Sequence, residues 1–160
     1  MKLANGCWVD ARRTQLVLAD FGYASRTDRH NAYVGSAHFA APEVHRCDEE
    51  AKAEMLANGT SAAVVEALSY SAAAADVWSL GVCLYALLAT ALPFNGIEET
   101  EEQRLALRAK VSKGVWDAPL LRSKGVKDLA RRMMCVDVER RVTLSEVASH
   151  VWVTTLQNRV

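Results

Sequence analysis

From Val77 to Leu92 no residue carries a charge, and apolar side chains fall on every side of a helical wheel. A helix of that kind is buried all round. Asp76, a good N-cap type, stands just ahead of it, which predicts a helix from there to about Thr90. The run is about 16 residues long, short of the ~20 that span a bilayer, and Pro93 follows it, so it reads as the core helix of a soluble fold. Upstream, the short apolar runs Cys7–Val9 and Gln15–Ala19 flank Asp-Ala-Arg-Arg-Thr and predict a small hairpin. Residues 22–40 are polar and mixed with no sustained period, hence loop, and Ala41–Val44 opens a short helix. Residues 48–69 read as two helical pieces broken at Asn58-Gly59. Glu98–Lys113 is a charged amphipathic helix with acids in its first turn and bases later, as the helix dipole favours. Two more helices are predicted over about 124–135 and 143–150, the second opened by a Thr143/Glu146 capping box. The expected fold is mainly α, with one small β-hairpin near the N-terminus.

Composition narrows this picture. At 160 residues the chain is one domain in length, and a domain of that size buries roughly 68–70% of its unfolded surface. The formal net charge is zero, which argues against a nucleic-acid binder, since such proteins need surplus cations against phosphate. Cysteines at 7, 47, 83 and 135 form no C-x-x-C and have no neighbouring His at metal-ligand spacing. They read as reduced thiols of an intracellular, cytoplasmic protein. The opening Met-Lys-Leu-Ala-Asn-Gly-Cys-Trp has no apolar signal-peptide core, and no membrane partner is expected.

The chemistry sits in tripeptides and their spacing. Asp20-Phe21-Gly22 directly follows the second hairpin run. A carboxylate at a strand end, beside a glycine that lets the chain turn, can present oxygen to a metal ion, and Mg²⁺ favours one or two carboxylates plus phosphate and water. Taken alone the tripeptide is a turn. It is followed by Ala41-Pro42-Glu43, twenty-one residues beyond Asp20, then by DVWSLGVCLYALL at 76–88, a charged helix after Glu99, and DVERRVTLSEVASHVW at 137–152.

In this order and spacing the motifs resemble the C-terminal lobe of a eukaryotic protein kinase, over Lys2 to Trp152. The resemblance implies a partial kinase domain at 1–153, an activation segment at 20–43, an insert at about 48–70 and a tail at 154–160. It implies ATP and Mg²⁺ as cofactors of the complete kinase. Asp20 would hold the Mg²⁺ that bridges the ATP phosphates. Lys2-Leu3-Ala4-Asn5 resembles the end of the catalytic loop, so that Lys2 would touch the transferring phosphoryl group and Asn5 would bind the second Mg²⁺. Tyrosine-directed members usually lack that Lys, and Gly35-Ser36 resembles the Gly-Thr of a Ser/Thr substrate pocket. Tyr-Ala-Leu-Leu, Leu-Pro-Phe and His-Val-Trp are most similar to the calcium/calmodulin- and AMP-activated-related group. Phe21, Gly22, Glu43, Asp76 and Arg141 carry structural roles by the same resemblance. Glu43 and Arg141 match a buried ion pair, and Asp76 matches a carboxylate that accepts from the catalytic-loop backbone. Trp78 is expected in the core near Pro42.

Departures from the pattern carry expectations too. The catalytic loop of the family reads His-Arg-Asp-x-Lys-x-x-Asn, and this sequence starts at the first x, with Met1. The catalytic aspartate, the Gly-rich loop and the rest of the N-terminal lobe are not in the sequence, which reads as a truncated kinase with Met1 an internal methionine, inactive alone. Ala32 stands three residues before Gly35, where related kinases often carry a phosphorylated Thr; Ser25, Thr27 and Tyr33 are candidate acceptors in the segment. The interval from Glu43 to Asp76 is longer than usual by about a dozen residues. The expected function is ATP-dependent phosphoryl transfer to Ser/Thr of protein substrates. The alternative is a non-catalytic lobe that docks a partner through the 48–70 insert or the 98–113 helix.

Overall fold

The computed structural model describes residues 1–47, 53, 57, 69–96, 99–116 and 118–157. Its longest helix, α1 (Ala72–Ala89), opens on four alanines, the best helix formers. Ser71 caps it by accepting the Ala74 amide at 3.2 Å. The N-cap expected at Asp76 is therefore corrected to Ser71. Four alanines propagate the helix one turn further back, and Asp76 lies within it with its side chain 74% exposed. Thr90, in the left-handed conformation, ends the helix.

α1 buries Trp78, Val82 and Tyr85, as its all-round apolar pattern requires. Trp78 stacks on Phe94 with ring centroids 5.5 Å apart, and Tyr85 meets Trp116 edge-on at 5.4 Å. Around them pack Leu107 and Val111 of α2 (Glu101–Lys113) and Val126 and Ala130 of α3 (Lys124–Met133), while Leu129 and Met133 of α3 form a second cluster with Val77 and Val147. α2 starts at Glu101 rather than at Glu98, which lies outside the described residues. Thr100 and Gln103 form a full capping box there. α3 ends at Met133, two residues before the expected limit.

α1 and α3 approach closely at Gly81. A Cβ added there would lie 2.9 Å from Met133 Cβ and from Met134 Cγ. Met133 Cβ is fixed to its backbone and cannot yield. Gly81→Ala is therefore expected to lower the urea midpoint: overpacking of about 1–3 kcal/mol outweighs the ~1 kcal/mol that Ala gains in helix propensity. An unchanged or raised midpoint would mean that the two helices do not touch this closely.

α4 (Leu144–Ser149) opens on the capping box of Thr143 and Glu146. His150 interrupts the helical path with ψ 136°, and α5 (Val151–Gln157) follows, running through most of the stretch expected as a tail. Its Thr154 and Thr155 hydroxyls both bond back to the Val151 carbonyl, at 3.2 and 2.7 Å.

The N-terminal hairpin joins β1 (Gly6–Trp8) and β2 (Leu16–Leu18) in antiparallel register, with Cys7 opposite Val17. A second pair was not expected. β3 (Arg29–His30), inside the stretch read as loop, pairs antiparallel with β4 (Tyr70–Ser71) at the door of α1. Residues 42–47 are helical from Pro42 onward. The two helical pieces and the docking insert expected over 48–70 lie almost entirely outside the described residues.

Candidate active site

The hairpin brings residues 5 and 20 together. A 3₁₀ turn at Leu3–Asn5 leads into β1, and the Ala19 amide donates to the Asn5 carbonyl at 2.8 Å just beyond β2. Asn5 Nδ2 then lies 3.5 Å from Asp20 Oδ2, while Gly22 N–H reaches Asp20 Oδ1 at 3.4 Å. Asp20 itself has φ +62°, a left-handed conformation that costs a non-glycine residue of order 1 kcal/mol and that Asp tolerates better than most. Asp20 is exposed. Lys2 is half-buried one turn before Asn5, whose amide donates to the Lys2 carbonyl at 3.1 Å.

Carboxylate and side-chain amide oxygens are groups that can ligate Mg²⁺. A carboxylate and a side-chain amide sit side by side, and phosphate and water oxygens would complete the shell. Among the described residues no trio of His, Cys, Asp and Glu has metal-binding geometry. An ion held mainly by the ligand's own phosphates needs no such cage.

The remaining expected residues divide in two. Phe21 is 67% exposed and belongs to neither apolar cluster of the described residues. Asp76 Oδ1 lies 3.6 Å from the Met1 amino nitrogen, which puts it beside the segment that carries Lys2 and Asn5. Gly35 takes φ +98°, a conformation that needs glycine even though the space around it is open. Ser36 then starts a 3₁₀ turn at Ala37–Phe39 without a side-chain capping bond.

Glu43 and Arg141 meet in the core, 98 residues apart in sequence. Arg141 Nη1 and Nη2 donate to the two Glu43 oxygens at 2.6 and 3.0 Å. Nη1 also donates to the Ala74 carbonyl and Nε to the Cys135 carbonyl, both at 2.9 Å. The guanidinium lies 5.1 Å from the Trp78 ring centroid. One arginine thus ties the end of the 20–43 segment to α1 and to the loop before α4. A cavity of about 480 Å³ lies beside Glu43, lined by Arg46, Arg108, Asp137 and Glu139 but by none of Lys2, Asn5 or Asp20.

Several residues that hold the segment were missed by sequence reading. His38 Nε2 bonds the Gly96 carbonyl at 2.8 Å, and Ser79 donates to the Phe39 carbonyl at 2.8 Å. Tyr70 donates its hydroxyl to the Ala32 carbonyl at 2.8 Å. Burial, with the Glu43 carboxylate nearby, pushes the Tyr70 hydroxyl up to about 12, so it stays a donor. None of the four cysteines forms a disulfide, and burial raises the Cys83 thiol to about 11. These contacts join residues far apart in sequence, so no local period announces them.

A family model of the protein kinase domain matches residues 1–153. The chain belongs to the protein kinase domain family. It is 33% identical over 153 residues to the mitosis inducer protein kinase cdr1 of Schizosaccharomyces pombe, covering 94% of this chain and 21% of that protein. It is 32% identical over 138 residues to the serine/threonine-protein kinase SIK2 of Gallus gallus, covering 84% and 14%. It is 34% identical over 146 residues to the carbon catabolite-derepressing protein kinase of Secale cereale, covering 89% and 24%. The chain therefore spans no more than about a quarter of the length of these relatives.

Proposed function

We propose that these residues are the substrate-side half of a serine/threonine protein kinase of the AMP-activated-related group, working inside the cell on protein substrates with Mg-ATP. The observation that carries the reading is the Asn5–Asp20 pair, 3.5 Å apart on an exposed edge. Bound there, Mg²⁺ would neutralise charge on the ATP phosphates. Asp20 and Asn5 would supply its protein oxygens, and Lys2 would add a positive charge next to the transferring group. Gly35 and Ser36 would receive the backbone around the acceptor hydroxyl.

The hairpin's apolar residues Trp8, Val9, Leu16 and Leu18 are each more than half exposed, a surface suited to cover by further protein. The 160 residues include no His-Arg-Asp and no G-x-G-x-x-G. Phosphoryl transfer needs a base and a phosphate cradle as well as the metal ligands. The 160-residue chain by itself is thus expected to transfer no phosphate.

Grafting tests this reading. Residues 2–160 are joined behind the nucleotide-binding half and His-Arg-Asp segment of a serine/threonine kinase. The chimera is expected to phosphorylate a Ser/Thr peptide with Mg-ATP. A folded chimera that binds no nucleotide would sink the reading and favour a partner-binding lobe, with α2 as its docking face.

A further inference from the structure

Residues 28–32 make polar contacts that this chemistry does not use. The first amides of any helix have no intrahelical acceptor. In α1 three of them are satisfied locally. Ala72 N–H donates to the Asp28 carbonyl at 2.6 Å, Ala73 N–H to Asp28 Oδ1 at 2.9 Å, and Ala74 N–H to Ser71 Oγ at 3.2 Å. The Ser71 hydroxyl donates in turn to Asp28 Oδ1 at 3.1 Å. Next to this cap, β3 pairs with β4, and Tyr70 holds the Ala32 carbonyl. The Asp28 carboxylate is held below its ordinary value by the Ala73 amide first, then by Ser71, Arg29 and His30. It is therefore ionised at neutral pH, where the helix dipole favours it.

We propose that Asp28 is a positioning residue that latches the activation segment onto the N-terminus of α1, with a fixed carboxylate in place of an added phosphate. A segment switched by phosphorylation is ordered when the new phosphate gains charge-assisted hydrogen bonds. Here the charge is genetically encoded and its donors are the Ala73 amide and the Ser71 hydroxyl. Ala32 offers no hydroxyl to modify, and its carbonyl is already engaged. Residues 28–32 are anchored, and with them the approach to Gly35 and Ser36. The meaning of the segment rests on the kinase reading above; the latch itself does not.

Amide hydrogen exchange in the 160-residue protein reads the latch directly, because among the described residues the Ala72 and Ala73 amides have no acceptor except Asp28. Both amides are expected to be protected in the wild type. Asp28→Ala removes the carboxylate that holds the Ala73 amide and should speed its exchange by about 10–100-fold, while the Ala72 amide, bonded to the Asp28 main-chain carbonyl, should speed less. Asp28→Asn keeps an acceptor without the charge and should give an intermediate acceleration. Tyr70→Phe should hasten trypsin cleavage at Arg29 while leaving the Ala73 amide protected. Amides of Leu129–Met133 in α3 show whether each variant is folded. If Asp28→Ala loses α3 protection as well, Asp28→Asn decides: a faster Ala73 amide with α3 intact supports the latch, and an unchanged one overturns it. Unprotected Ala72 and Ala73 amides in the wild type would overturn it outright. None of these readouts involves nucleotide, so a failure of phosphoryl transfer in the chimera and a failure of the latch are told apart.

Discussion

Glu43→Ala is expected to destabilise the protein by about 3–5 kcal/mol, and Arg141→Ala by at least as much. The two side chains are 4% and 0% exposed, so removal of either leaves the other charged and away from water. Pairing in the core roughly offsets the desolvation of both groups, whereas a lone buried charge has no such offset. Arg141 carries the larger loss, because the Ala74 and Cys135 carbonyls also lose their donor and Trp78 loses the cation on its face. A domain is stable by only about 5–15 kcal/mol, so either change removes a large share of the total. Glu43→Gln should fall in between, since it keeps an acceptor. Replacing both residues together, Glu43→Leu with Arg141→Met, should cost less than the sum of the single Ala changes, because no charge is left stranded. Urea denaturation of the four variants checks the series. Additive losses would show that the pair is not coupled as the 2.6 Å contact requires.

Asp20→Asn in the grafted kinase is expected to cut phosphoryl transfer at least about a hundredfold, because a carboxylate on the metal supplies several kcal/mol of charge stabilisation. Asn is the informative replacement. It tolerates the left-handed backbone at position 20 and keeps the side chain's shape, so the charge is lost with only one of the two long acceptor contacts to Asn5 and Gly22. Stability should change by less than about 0.5 kcal/mol, since the side chain is exposed and outside the core. A variant as active as the wild type would remove Asp20 from the chemistry.

Much of this arrangement was legible before any coordinates. The uncharged run with apolar residues all round predicted a buried helix, and α1 buries side chains as far as Tyr85 while Leu87 and Leu88 in its last turn are exposed. The hairpin followed from two apolar runs around a polar turn, and the α4 cap from Thr143 and Glu146. The start of α1 was misplaced because two capping types stood six residues or less ahead of the apolar run, and only the neighbouring strand selects Ser71 over Asp76. The Thr100/Gln103 box that sets the start of α2 was readable and went unread in favour of the acidic run around it. β3 and β4 could not be read: two-residue strands some forty positions apart show no alternation, and only the tertiary fold brings Arg29 opposite Ser71. α5 hid behind β-branched residues of modest helix propensity just past the break at His150. Of the site, Asn5 and Asp20 were singled out through the motifs, and their contact depends on the hairpin register that joins them. Asp28 and Tyr70 act through backbone groups, and a backbone acceptor leaves no trace in residue identity.

The most direct test of the metal edge uses Mn²⁺ as a paramagnetic stand-in for Mg²⁺. The grafted kinase is saturated with Mn²⁺ and a non-hydrolysable ATP analogue, and broadening of amide signals is mapped by NMR. The expected result is strongest broadening at Asn5, Asp20 and Gly22, lost in Asp20→Asn at the same metal concentration. Sharp signals at those three positions, with the broadening centred elsewhere in the lobe, would contradict it.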